Sequence, residues 1–69
     1  MKLSARNTLA GVIRKIDPGT VNAEVTIEVA PGITIVSIIT MDAVKSLGLK
    51  EGRNAYAVIK ASSVMVGVD

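Results

Sequence analysis

Val21-Asn22-Ala23-Glu24-Val25-Thr26-Ile27-Glu28-Val29 alternates without a break: every odd-numbered position is apolar and every even-numbered one polar. A period of two is the pattern of a strand with one face buried and the other wetted. The stretch predicts a strand over 21–29. On its N-terminal side, Asp17-Pro18-Gly19-Thr20 is a turn, with Pro fixing one φ and Gly relaxing the next. Further upstream, Thr8 to Ile16 is a second strand, with Val12, Ile13 and Ile16 apolar and Arg14 and Lys15 facing water. Gly11 inside it marks a bulge or a close backbone approach. These two strands should form a hairpin.

On the C-terminal side, Ala30-Pro31-Gly32 is another turn and Ile33 to Thr40 is β-branched almost throughout. Ile33, Ile35 and Ile39 fall on one face, Val36 and Ile38 on the other. One face can pack the core; the other needs another partner, and a second subunit is the economical one. A short helix follows. Thr40 is its N-cap, Asp42 sits in the first turn where the helix dipole favours an anion, and Gly48 stops it. Met41, Val44, Leu47 and Leu49 form its apolar stripe, and Lys45 and Ser46 face water. After a turn at Lys50-Glu51-Gly52, Asn54 to Lys60 is a fourth strand, Ala61-Ser62-Ser63 breaks it, and Val64 to Val68 is a fifth. The order β-β-β-α-β-β predicts an all-β domain: a five-stranded OB-fold-like Greek-key barrel with one short helix between strands 3 and 4. Closure would also remove open edges from so apolar a set of strands.

With 69 residues, the chain has room for a single domain, 1–69. Chains of this length bury only about 60% of their unfolded surface, and small domains usually need disulfides, a metal or oligomerisation. There is no Cys and no His, so disulfides and a zinc site are excluded. With 49% of residues apolar, a homo-oligomer is expected. The same absences remove Ser-His and Cys-His nucleophiles and imidazole acid–base chemistry, so the chain is not expected to be an enzyme. Lys and Arg number 8 against 6 Asp and Glu, a net charge of +2 with no basic run. That is too mild a bias for a polyanion-binding protein. Met1 to Asn7 lacks the apolar core of a signal peptide, and no stretch approaches the ~20 apolar residues of a membrane span. A cytoplasmic protein without membrane attachment is expected.

Three polar segments stand out from the apolar background: Ser4-Ala5-Arg6-Asn7, Thr40 with Asp42, and Lys60-Ala61-Ser62-Ser63. Singly, each reads as a terminus, a helix cap or a turn. Together they lie at strand ends, where OB barrels often place binding sites, and supply two cations, several hydroxyls and backbone N–H groups. A small oxyanion needs that combination of opposite charge and hydrogen-bond donors.

Ser4-Ala5-Arg6-Asn7, the I-T-x-x-A-V-x-x-L-G-L-x-E-G pattern from Ile39 to Gly52, and A-Y-A-V-I-K-A-S-S-V-M-V-G-V from Ala55 to Val68 resemble the molbindins. These are small cytoplasmic molybdate- and tungstate-binding proteins (Mop/TOBE-type domains), and the resemblance spans essentially the whole chain. It implies storage and buffering of these oxyanions in molybdenum homeostasis. It also implies a tight homodimer assembling into a homohexamer, a trimer of dimers, with ligands held at subunit interfaces. Carried over by position, Ser4, Ala5, Arg6, Thr40, Lys60, Ala61 and Ser62 would form the dimer-interface oxyanion site. A second site near the threefold axes would fall at Gly19, Thr20, Val21 and Asn22. No cofactor is implied, and the protein would not coordinate the metal directly. Some relatives carry Ser where this chain has Ala43, which removes one hydroxyl donor.

The chemistry supports that ligand class independently. A tetrahedral dianion needs about two compensating charges, which Arg6 and Lys60 supply as a planar fork and a mobile point charge. Ser4, Thr40 and Ser62 can donate to the remaining oxygens. Without a carboxylate to accept a proton, the site should prefer fully ionised anions over hydrogen phosphate, since an unpaired buried donor costs ~1–3 kcal/mol. Asp42 would reverse that preference if it turned into the site. The alternative is a small OB-fold interaction or nucleic-acid-binding module with no oxyanion role. Single-strand binding needs aromatic stacking platforms and a basic groove, and Tyr56 is the sole aromatic residue.

Overall fold

A computed structural model describes all residues, 1–69. Four strands and a short helix appear in the order β1 (Asn7–Pro18), β2 (Asn22–Ala30), β3 (Ile33–Thr40), α1 (Met41–Ser46) and β4 (Asn54–Ile59), followed by a 3₁₀ turn at Ala61–Ser63. They form one antiparallel sheet ordered β3-β2-β1-β4. The domain is mostly β with one short helix, as expected.

β2 is one of the two inner strands, and its clean alternation turns one face to the core. Ala23, Val25 and Ile27 are buried and meet Ile13 of β1, Val44 of α1 and Ala57 of β4 in one core cluster. β2 and β4 are not neighbours in the sheet, so the sheet must curl for Ala57 to reach Val25 and Ile27. β1 makes the curl possible. Its N-terminal half pairs with β4 (Asn7 opposite Ile59) and its C-terminal half with β2 (Pro18 opposite Ala23), with a register shift between Ile13 and Lys15. An extra residue in one strand bends it and sharpens its twist. Gly11 is the close approach rather than the bulge: a Cβ there would lie 2.5 Å from the Glu28 carbonyl oxygen.

Helix α1 is built as its sequence signals indicate. Thr40 is extended (φ −73°, ψ 153°) and its Oγ1 accepts a 3.0 Å hydrogen bond from the Ala43 N–H. Gly48 ends the turn at φ +63°, where Arg53 Nη1 donates to the Leu47 and Gly48 carbonyls at 3.0 and 2.7 Å. Of the expected stripe, Val44 is buried and Met41 and Leu49 pack on the core, but Leu47 is exposed. With only six residues, the helix has one turn to bury, and Leu47 already belongs to its cap.

The expected fifth strand is absent from the single chain. Val64 to Val68 pairs with nothing, and Met65, Val66 and Val68 are each more than 90% exposed. The two edges of the four-stranded sheet are β3 and β4. After the turn at Ala61–Ser63 the chain forms no further strand, so the sheet is curled but open. The outer face of β3 is open as well, with Val36 and Ile38 exposed. No helix is long and apolar enough to cross a membrane.

Candidate functional site

The N-terminal segment and the turn after β4 meet because β1 and β4 pair at their ends. Asn7 lies opposite Ile59, and the Asn7 side-chain amide donates to the Ile59 carbonyl at 3.3 Å. The residues just before Asn7 and just after Ile59 are therefore held side by side. Ser4, Ala5, Arg6, Val58, Lys60, Ala61 and Ser62 line one open depression of about 620 Å³. Six of the seven residues expected at the first site thus converge within one chain, although they are 54 or more positions apart in sequence between Arg6 and Lys60.

The depression has two cationic side chains, two hydroxyls and no carboxylate. All four polar side chains are exposed, and none takes part in a side-chain hydrogen bond or salt bridge within the chain. Ser63 N–H donates to the Lys60 carbonyl at 2.8 Å, closing the 3₁₀ turn that presents Ala61 and Ser62. The backbone is pre-shaped here, while the charges remain free to engage an anion. An opposite pair in such a site would neutralise itself; this one cannot.

Thr40 stands elsewhere. It pairs with Asn22, beside the Ala23–Pro18 pair, at the end of β1 remote from Asn7. A twelve-residue strand at about 3.3 Å per residue has a contour of nearly 40 Å. Asp42, two residues beyond Thr40, is equally outside the depression as the single chain forms it. Ala43 uses its N–H on Thr40, which leaves the Thr40 hydroxyl hydrogen available to donate.

The second set of residues forms the β1–β2 turn. Gly19 N–H donates to the Asn22 carbonyl at 2.8 Å, and Thr20 and Val21 are exposed at its tip. Gly19 and Asn22 line a shallow cavity of about 280 Å³ together with Asp17, Glu24 and Ile38. Asp17 and Glu24 put two carboxylates beside that loop, although Glu24 reads in the sequence simply as an exposed position of β2.

Comparison with known proteins gives a consistent picture. The TOBE domain family matches residues 3–66. A probable molybdenum-pterin-binding protein of Haemophilus influenzae is 51% identical over 69 residues, the whole of both chains. Among solved structures, MopII from Clostridium pasteurianum superposes with a TM-score of 0.91 at 45% identity, covering 97% of this chain and 100% of that one. The cytoplasmic molybdate-binding protein ModG, in a form with molybdate bound, gives a TM-score of 0.94 at 52% identity. That match covers all of this chain and 49% of ModG. The family match over most of the sequence and the full-length relative at half identity show that the chain belongs to the TOBE-domain family, as a molybdenum-pterin-binding (Mop, or molbindin) protein.

Proposed function

We propose that this chain binds molybdate, and tungstate by the same chemistry, as a store or buffer of these oxyanions in the cytoplasm rather than as an enzyme. The observation that carries the reading is the depression lined by Ser4, Arg6, Lys60 and Ser62, which offers two positive charges, two hydroxyls and no carboxylate. A tetrahedral dianion matches it in charge, and its oxygens accept from every polar side chain present. The metal arrives already wrapped in oxygen, so soft protein ligands are not required.

The remote position of Thr40 supports a site completed between copies of the chain. Thr40 can join Arg6 and Lys60 only if a second copy supplies it, as expected of a dimer-interface site. The full assembly in this reading is a homohexamer built as a trimer of dimers, each five-stranded barrel sharing its ligands with a neighbour. A second site at Gly19, Thr20, Val21 and Asn22 is part of the reading. Because Asp17 and Glu24 share that cavity, an anion there depends on donors from adjacent copies and should bind more weakly.

Thermal unfolding with added oxyanion tests the proposal. A ligand bound only by the native state stabilises it by about 2.7 kcal/mol at a hundredfold excess over Kd. Millimolar molybdate or tungstate should therefore raise Tm by several degrees. Arg6→Ala should remove most of the rise, and Lys2→Ala, outside the depression, should leave it intact. An unchanged Tm in millimolar molybdate overturns the reading, and equal damage from Lys2→Ala shows that the site is misplaced.

A further inference from the structure

Helix α1 has only six residues, and Val44 is the one it buries. Isolated helices shorter than about 12 residues are marginal in water, so α1 keeps its shape and direction through its tertiary anchors. At its start, the Met41 N–H donates to the Val21 carbonyl at 2.8 Å. At its end the anchor is a single side chain. Arg53 Nη1 donates to both the Leu47 and the Gly48 carbonyls, at 3.0 and 2.7 Å. The guanidinium has room there because residue 48 is glycine: an added Cβ would lie 2.8 Å from Nη1. Its charge also suits the negative end of the helix dipole. No carboxylate draws Arg53 elsewhere, since the chain's one salt bridge joins Arg14 to Glu28.

The backbone of the same residue is fixed to the core. The Arg53 carbonyl accepts from the Ile13 N–H at 3.0 Å, and the Gly52 N–H donates to the Ile13 carbonyl at 2.8 Å. Ile13 is fully buried and lies at the register shift of β1. Arg53 therefore ties the end of α1 to a rigid point of the sheet. At the other end of α1 stands Thr40, whose Oγ1 accepts from the Ala43 N–H at 3.0 Å. An oxygen engaged by Ala43 turns its own hydrogen away, toward an outside acceptor. Six helical residues span about 9 Å, so releasing one end of so short a rod tilts the other.

We infer that Arg53 is a positioning residue for oxyanion binding: by clamping the C-terminal end of α1 it holds the Ala43 N–H on Thr40 and so keeps the Thr40 hydroxyl aimed at the anion. The inference rests on the interface site proposed above, in which a second copy supplies Thr40. Two independent features point to Arg53 alone. It is the only side chain bonded to the end of α1, and its own backbone cannot follow a moving helix because Ile13 holds it.

Molybdate titration calorimetry on single and double variants tests the inference. Arg53→Met keeps the apolar stem and removes the donors, and it should weaken binding about fivefold. Arg53→Lys, which restores a charged donor, should recover most of that loss. Thr40→Ala should weaken binding about tenfold, and adding Arg53→Met to it should cost nothing more, because the hydroxyl that Arg53 positions is gone. With Ser62→Ala, whose hydroxyl Arg53 does not hold, the two losses should multiply. Without ligand, amide exchange at Ala43 should quicken in Arg53→Met while Val25 and Ile27 keep their protection. Unchanged exchange at Ala43 overturns the inference, and so does a fivefold loss that persists in the Thr40→Ala background. If Arg53→Met does not fold, Gly48→Ala, whose Cβ displaces the guanidinium, takes its place in the same comparison. An unaltered chain that binds no molybdate overturns the oxyanion reading and this inference with it. An unaltered chain that binds, beside an Arg53→Met chain that binds as tightly, overturns this inference alone.

Discussion

Gly11 and Gly32 show two different reasons for glycine. Gly32 follows Pro31 at φ +74° with nothing near an added Cβ, so its demand is purely conformational. Gly11 has an ordinary backbone, but an added Cβ would collide with the Glu28 carbonyl and with Ile27 Cγ2 at 2.8 Å. Gly32→Ala should cost ~1–2 kcal/mol, the penalty of a left-handed residue. Gly11→Ala should cost ~1–3 kcal/mol by overpacking and should also disturb the β1–β2 register. Denaturant unfolding measures both, and amide exchange at Val12 and Ile13 should rise only in the second. The Pro31-Gly32 requirement is written in two adjacent letters. The Gly11 requirement depends on a strand 17 residues away, so the sequence could say only that something unusual sits there. Arg6 and Lys60 are of the second kind: each reads alone as a surface charge, and their convergence follows from the pairing of Asn7 with Ile59.

At the scale of elements, α1 and the four strands were legible because their signals are local. Alternation over 23–27, the Thr40 cap and the Gly48 stop act within one turn or one pleat, and the structure uses each of them. Strand ends were less legible. β1 runs on through Pro18, whose missing N–H is tolerated at the end of a strand, and Val21 falls outside β2 despite its apolar side chain. The cap also offers a test that separates folding from binding. Thr40→Ala should lower stability by about 1 kcal/mol. Thr40→Asp keeps a capping oxygen and so should retain most of the stability without ligand. It nevertheless places a negative charge where the proposed interface site needs a donor, and the molybdate-induced rise in Tm should vanish. A Thr40→Asp chain that responds normally to molybdate would remove Thr40 from the site.

For the whole molecule, six buried residues are a small core for 69, and stability should be tied to association. In the absence of oxyanion, tenfold dilution removes about 1.4 kcal/mol per dimer, which should lower Tm by roughly 3–5 °C. A Tm independent of concentration would mean that the lone chain holds itself together. Sequence alone determined the types of the helix and of four strands, the absence of imidazole and thiol chemistry, and the excess of apolar surface. These follow from side-chain identity and from periods of two or a few residues. Tertiary structure decided which charges meet, which glycine is crowded and where the fifth segment lies, since these depend on contacts between residues far apart in the chain. Val64 to Val68 has a strand's composition in either case. Whether it becomes a strand depends on an edge to pair with, and within the single chain it pairs with none.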